Sequence, residues 1–323
     1  MTLQKVDNFG FPAKNSNACK TIIQSRTRAD LPGSSPDPCG YAEGIMEKSK
    51  RGWSLLVLGV AVVLLCGAQE PAPVTEPAAV RMERADRIYG PVIGFPESAL
   101  QSRVATFEYA PGLRADLYWP PGFAFDKLLP VALFVVSVPE SIFRKELGVS
   151  VAETAPYVSW CAAAAARGFA AVIMTVTQWP RDLPALAAWM ESRKASLRLD
   201  TGRIFLWACS ANGDAAVSLA SSGGALEGRV AGMSLYYTYL SQMASTPVPG
   251  FPVEVVIPEK DDPARMRRLA AYADSLIANG NPVRVVRLPI GRHAFDLNQD
   301  TPEHRKVVED TLSFMKECLI RSP

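Results

Sequence analysis

The sequence predicts an α/β fold in which a mostly parallel central sheet is covered by helices on both faces. Three observations predict it. Continuous apolar runs, VALFVV at 131–136, AAVIMT at 170–175 and IFLWA at 204–208, read as strands buried on both faces. Segments with helical patterning lie between them, the alternation that builds βαβ units. The most reactive polar residues fall just after apolar runs, where parallel sheets place their sites.

Taken in order along the chain, residues 1–45 are rich in Asn, Ser, Pro, Gly and Thr and show no apolar period. They read as a non-native or disordered extension, with translation starting at Met46 instead of Met1. A basic stretch, Glu-Lys-Ser-Lys-Arg, then leads into an uncharged run from Trp53 to Ala68 that ends on small residues. These are the three parts of a secretory signal peptide, placed over residues 46–68. The run is shorter than the roughly 20 residues of a bilayer span. An uncleaved anchor over 53–68 and a lipoprotein acylated on Cys66 are the alternatives. Export to the periplasm or medium is the expectation, with membrane attachment only if 53–68 is retained. Residues 69–98, opening QEPAPVTEP, read as a Pro-rich extended linker.

The folded domain is placed at 99–323. Val104–Tyr109 and Ala115–Trp119, divided by Pro111-Gly112, suggest an antiparallel hairpin at the sheet edge. After the strand at 131–136 come an Ala-rich helix at 154–167, the strand at 170–175 and a helix at 183–197. The strand at 204–208 leads into a small-residue helix at 211–221. Val230–Tyr236, Val253–Ile257 and Val283–Arg287 supply three more strands, and helices are expected at 263–279 and 302–319.

Composition narrows the function. Apolar residues form 48% of the chain, enough for an ordinary core, and the net charge of +2 offers no bulk attraction to nucleic acid. The six cysteines include no CxxC pair, and neither they nor the two histidines cluster as metal ligands. No Gly-rich phosphate loop is present. Neither a metal nor a cofactor is expected. If residues 46–68 are removed, only Cys161, Cys209 and Cys318 remain, and they read as buried apolar side chains.

Three segments carry chemistry. Cys209-Ser210-Ala211-Asn212-Gly213 joins a buried strand to a helix, so Ser210 is either a nucleophile on a sharp elbow or a helix cap. The Ala211 N–H, at the start of that helix, is a candidate oxyanion donor. His293, in Gly291-Arg292-His293, follows the strand at 283–287, whereas His304 sits in a polar first helical turn and reads as solvated. Pro258-Glu-Lys-Asp261-Asp262-Pro263 follows the strand at 253–257. A carboxylate there either orients a histidine or simply caps the next helix. Both roles can hold, with Asp261 as the acid and Asp262 as the cap, and the residues alone leave the choice between the two for the acid open. The chain order Ser210, Asp261, His293 is that of a hydrolase triad built on such a sheet.

Residues 128–318 resemble an α/β hydrolase of the dienelactone-hydrolase and small-esterase type. The most specific stretch runs from DLPALAAWM through LRLDTGRIFLWACSANGDAAVSLA, and EKDDP and GRHAFD are similar to the family's acid and histidine loops. The resemblance implies a serine hydrolase of carboxylic esters, working through Ser210, Asp261 and His293 on a small-molecule ester. Two departures stand out. Ala-Cys-Ser-Ala-Asn replaces Gly-x-Ser-x-Gly, and Ser137-Val138-Pro139-Glu140 replaces the family's His-Gly loop. Pro139 has no N–H, so Val138 is the expected second oxyanion donor, and Glu140 is unfavourable there unless it points away. A degenerate fold that binds without turnover, and a peptidase, are the competing readings. Tyr236, Tyr237, Tyr239 and Trp179 are placed either to line the pocket or to pack. The sequence sets no oligomeric state.

Overall fold

β-Branched and aromatic runs become strands wherever the alternation calls for them. The computed structural model describes residues 74–85, 89–241 and 250–320, all within one unit. The extension at 1–45 and the signal segment at 46–68 lie outside the described residues.

Among the described residues the sheet has nine strands. β1 (Glu76–Pro77), β2 (Arg103–Ala110) and β3 (Leu113–Trp119) form an antiparallel edge, the β2–β3 hairpin turning on Pro111-Gly112. β4 (Leu129–Phe134), β5 (Ala170–Met174), β6 (Leu199–Cys209), β7 (Val230–Tyr236), β8 (Val253–Pro258) and β9 (Val283–Leu288) run parallel to one another. The order is β1-β2-β3-β5-β4-β6-β7-β8-β9. The helices are α1 (Ala78–Arg84), α2 (Glu140–Leu147), α3 (Ala155–Ala166), α4 (Trp179–Leu197), α5 (Gly213–Ala220), α6 (Pro263–Ala278), α7 (Phe295–Asn298) and α8 (Pro302–Ile320).

The core sits on both faces of the central strands. Phe205 and Trp207, two apart on β6 and therefore on one face, meet Phe314 of α8 and Trp160 of α3. Leu206 and Ala208, of opposite parity, are equally buried, so the second face is covered too. Trp207 lies with its ring centroid 5.0 Å from Trp160, 5.3 Å from Phe134 and 5.5 Å from Tyr236. Each such aromatic pair adds about 0.5–1.5 kcal/mol beyond its area burial.

Two stretches differ from the sequence reading. Part of the expected linker is folded: Glu76–Pro77 pairs with Arg103–Val104, and α1 buries Ala78 against the domain. The physical reason is Arg81, which bonds Glu76, Asp116 and Thr106 and so fastens the segment to β2 and β3. Further on, α2 forms where no element was expected. Its eight residues alternate charge with Ile142 and Phe143, too short a window for a helical period to show. Among the described residues, no helix is long and apolar enough to cross a membrane.

Candidate active site

The carboxyl ends of the parallel strands gather the reactive side chains. Ser210 follows β6 directly, Asp261 lies three residues beyond β8, and His293 five beyond β9. Ser210 Oγ is 3.0 Å from His293 Nε2, and His293 Nδ1 is 2.6 Å from Asp261 Oδ2. A carboxylate only accepts, so Nδ1 carries the ring proton toward Asp261 and the Nε2 lone pair faces the serine hydroxyl. The His293 and Asp261 side chains keep only 8% and 5% of their surface, so water competes little for this bond. Asp261 Oδ1 is held by the Asp262 N–H at 2.6 Å. Asp262 in turn caps α6, accepting from the N–H groups of Ala264 and Arg265.

Local backbone geometry explains how Ser210 is presented. Its φ of +51° lies in the left-handed region, which a non-glycine residue occupies only at a cost of about 1–3 kcal/mol. The chain therefore turns sharply between β6 and α5 and lifts the hydroxyl off the sheet. Gly213 permits that turn: a Cβ there would come within 2.5 Å of Tyr239 O and 2.8 Å of Thr238 Cβ. Three places after the serine, therefore, the close approach of Tyr239 and Thr238 leaves no room for a side chain.

Ser210 opens onto a cavity of about 70 Å³, which Val138 and Ala211 also line. The Ser137 N–H is bonded to Asn212 Oδ1, Pro139 has none, and the Glu140 N–H is held by Val176 O. Among the described residues this leaves Val138 with the uncommitted amide of the loop. Glu140 does not line the cavity; its carboxylate faces the Val151 N–H at 3.4 Å and Arg144 at 3.0 Å.

Aromatic side chains form much of the remaining wall. Tyr157, Trp160, Trp207 and Tyr237 line the cavity together with Tyr89 of the N-terminal segment. Of the four aromatic candidates in the sequence, Tyr237 alone is among the lining residues. Tyr236 is buried against Thr311, Trp179 packs on the core, and Tyr239 stacks on His293 at 6.0 Å. A second carboxylate, Asp296, was not anticipated. It is buried and accepts from Tyr237 Oη at 2.7 Å and Trp160 Nε1 at 2.9 Å. Burial pushes its carboxyl above the ordinary aspartate value, partly offset by those two donors. Burial likewise pushes the Cys209 thiol up to about 12, which keeps it protonated beside Ser210.

His304 is a correction. It is fully buried, not solvated, with Nδ1 2.9 Å from Gln299 O and its ring 5.2 Å from Phe295. The signal was present: His304, Val307, Val308, Thr311 and Leu312 recur at the spacing of one buried helical stripe, with histidine as its first member. Among the described residues, no three His, Cys, Asp or Glu side chains group as metal ligands.

No protein-family sequence model matches the chain, and no curated protein matches it. Solved structures do. The native esterase Est2 of the planctomycete Thermogutta terrifontis is 15% identical with a TM-score of 0.51, the match covering 72% of this chain and 97% of that one. Its propionate-bound form is 16% identical with a TM-score of 0.52, covering 71% and 98%. Brefeldin A esterase, described as a bacterial homologue of human hormone-sensitive lipase, is 16% identical with a TM-score of 0.51, covering 68% and 77%. The chain has the α/β-hydrolase fold. In an α/β-hydrolase sheet the ends of β4, β6, β8 and β9 share one rim, which is why residues as distant as 138 and 294 line a single cavity.

Proposed function

We propose that this α/β-hydrolase-fold protein cleaves small carboxylic esters by a two-step acyl transfer through Ser210. His293 Nε2 removes the hydroxyl proton as Oγ bonds to the acyl carbon. Asp261 holds the ring and stabilises the imidazolium that results. The amides of Ala211 and Val138 receive the oxyanion. The intermediate then collapses: the bond from acyl carbon to alkoxy oxygen breaks, and the alcohol departs with the proton from Nε2. Water repeats the sequence on the acyl-enzyme, giving its proton to His293 and its oxygen to the acid, and Oγ regains its hydrogen.

The continuous hydrogen-bonded chain from Ser210 through His293 to Asp261, with Ser210 opening onto a largely apolar cavity, carries this reading. The esterases among the structural neighbours support it, and the cavity's size favours a short acyl group. Sparse amide donors in the loop 137–140 favour a second reading, a fold that binds esters without turning them over. Labelling of the purified protein by a fluorophosphonate separates the two, because it reports an activated serine whatever the preferred ester. Wild-type protein is expected to take the label and hydrolyse p-nitrophenyl acetate, and Ser210→Ala to do neither. Wild-type protein that takes no label would overturn the hydrolase reading in favour of binding alone.

A further inference from the structure

Asn212 occupies the place where a nucleophile elbow of this kind usually has glycine, and Ser137 begins the loop that departs most from the family pattern. The two departures touch. Asn212 Oδ1 is 2.8 Å from the Ser137 amide nitrogen and 3.0 Å from Ser137 Oγ. On its other side, Asn212 Nδ2 donates to Tyr157 Oη at 3.2 Å and approaches Cys209 Sγ at 3.9 Å. Ser137 Oγ also reaches Ala211 O at 3.0 Å. The orientation of the amide is fixed, since a backbone N–H donates and only Oδ1 can accept it. Both side chains are buried, Asn212 to 4% exposure and Ser137 to 8%, so water does not substitute for these bonds.

We propose that Asn212 is a positioning residue that ties the oxyanion loop to the nucleophile elbow, so that the Val138 and Ala211 amides keep a fixed separation around Ser210 Oγ. Ala211 is carried by the elbow and Val138 by the loop after β4, two segments far apart in sequence. Two hydrogen-bond donors serve one oxyanion only when their mutual distance is set before the reaction. Asn212 adjoins Ala211, and Ser137 adjoins Val138, so a bond between the outer pair fixes the inner pair. Glycine at 212 would leave the loop to be held some other way. The asparagine and the serine together replace that support, and Tyr157 of α3 braces the asparagine from behind.

This inference rests on Ser210 being the nucleophile, and its test distinguishes the two. Full-length wild-type protein, Asn212→Ala, Ser137→Ala and Ser210→Ala are compared by fluorophosphonate labelling rate, by kcat and KM for p-nitrophenyl acetate over pH, and by amide hydrogen exchange at Ser137. For Asn212→Ala, kcat and the labelling rate are expected to fall about 10²-fold, the loss typical of a displacement of about 1 Å in the reacting geometry. KM should stay within about threefold and the pH midpoint of kcat/KM should not move, because His293 and Asp261 are untouched. Exchange at the Ser137 amide should accelerate, and Ser137→Ala, which keeps that N–H, should lose less than about tenfold in kcat. Purely structural damage would instead reduce the fraction of protein that labels while the labelled fraction reacts at the wild-type rate. That result, or an Asn212→Ala protein that labels as fast as wild type, overturns the inference and leaves the nucleophile reading intact. Wild-type protein inert to the probe defeats both.

Discussion

Asp261 and Asp262 are adjacent carboxylates with sharply different surroundings, and exchanging each in turn separates catalysis from stability. Asp261 Oδ2 lies 2.6 Å from His293 Nδ1. Asparagine at 261 keeps the shape but presents either an amide NH₂ to the ring N–H or a weaker neutral acceptor, so the ring is free to adopt the wrong tautomer. By analogy with other triads such a change lowers kcat by about 10⁴, or about 5.5 kcal/mol of transition-state stabilisation. Asp262 instead caps α6 through the N–H groups of Ala264 and Arg265. Its loss to alanine should cost about 1 kcal/mol of stability, a Tm change of about 2–4 °C in a domain of this size. The assay is kcat for p-nitrophenyl acetate, corrected for the fraction of protein that a fluorophosphonate labels, alongside Tm by circular dichroism. Asp261→Asn with kcat within tenfold of wild type, or Asp262→Ala with a larger catalytic loss than Asp261→Asn, would refute the assignment of roles.

Asp182 supplies a prediction of pH dependence. Burial pushes its carboxyl up, but the N–H groups of Gln178 and Thr177, Arg181 and the Thr177 hydroxyl outweigh this and hold it below the ordinary value of 3.8. A carboxyl lowered on folding contributes stability that is fully present above its unfolded value and lost as pH falls through its folded value. The Tm gap between wild type and Asp182→Asn should therefore be widest at neutral pH and narrow below about pH 4; a gap that widens in acid contradicts the sign. Acyl length is the second test. With about 70 Å³ beside Ser210, kcat/KM should fall from p-nitrophenyl acetate or butyrate to the octanoate, and a rate rising with chain length would place the acyl group elsewhere. The last concerns His304: His304→Ala should lower Tm by several degrees through lost packing on Phe295, while Ser210 still labels at the wild-type rate.

The sheet was legible because its strands are unmistakable in composition: VALFVV, AAVIMT and IFLWA have no amphipathic alternative, and every strand expected between 104 and 287 forms within a few residues of its place. Candidate site residues were legible for the same reason, since a polar residue just after a buried strand has few places to be. What escaped the sequence was set by tertiary contact. The segment 76–84 reads as linker until Arg81 finds Asp116 and Thr106, partners 35 and 25 residues away. Asp296 carries no sequence signal of its own role, because only the approach of Trp160 and Tyr237 makes a buried carboxylate tolerable there. Asn212 read as a defect in the elbow because its partner, Ser137, lies 75 residues upstream.

Backbone strain ties the site to the sheet. Ser210, Tyr237 and Ala294 all have positive φ, at +51°, +41° and +55°, and all three line the cavity. Ser210 and Tyr237 each directly follow a buried parallel strand, so the chain turns abruptly there to leave the sheet rim, while Ala294 precedes the short helix α7 on the loop after β9. Side chains other than glycine persist in such conformations only when their surroundings over-determine them. Here the surroundings are identifiable. Ser210 O accepts from the Tyr239 N–H, the Tyr237 hydroxyl is anchored on Asp296, and Ala294 sits between His293 and buried Phe295. Asp296 also receives Trp160 from α3, and its carbonyl accepts the Ile93 N–H from the N-terminal segment. Through its carboxylate and its backbone carbonyl, Asp296 thus joins four separate parts of the chain beside the His293 ring, which Tyr237 contacts at 4.7 Å. The rigidity needed to hold a serine hydroxyl 3.0 Å from an imidazole comes from this polar knot as much as from the apolar core beneath it.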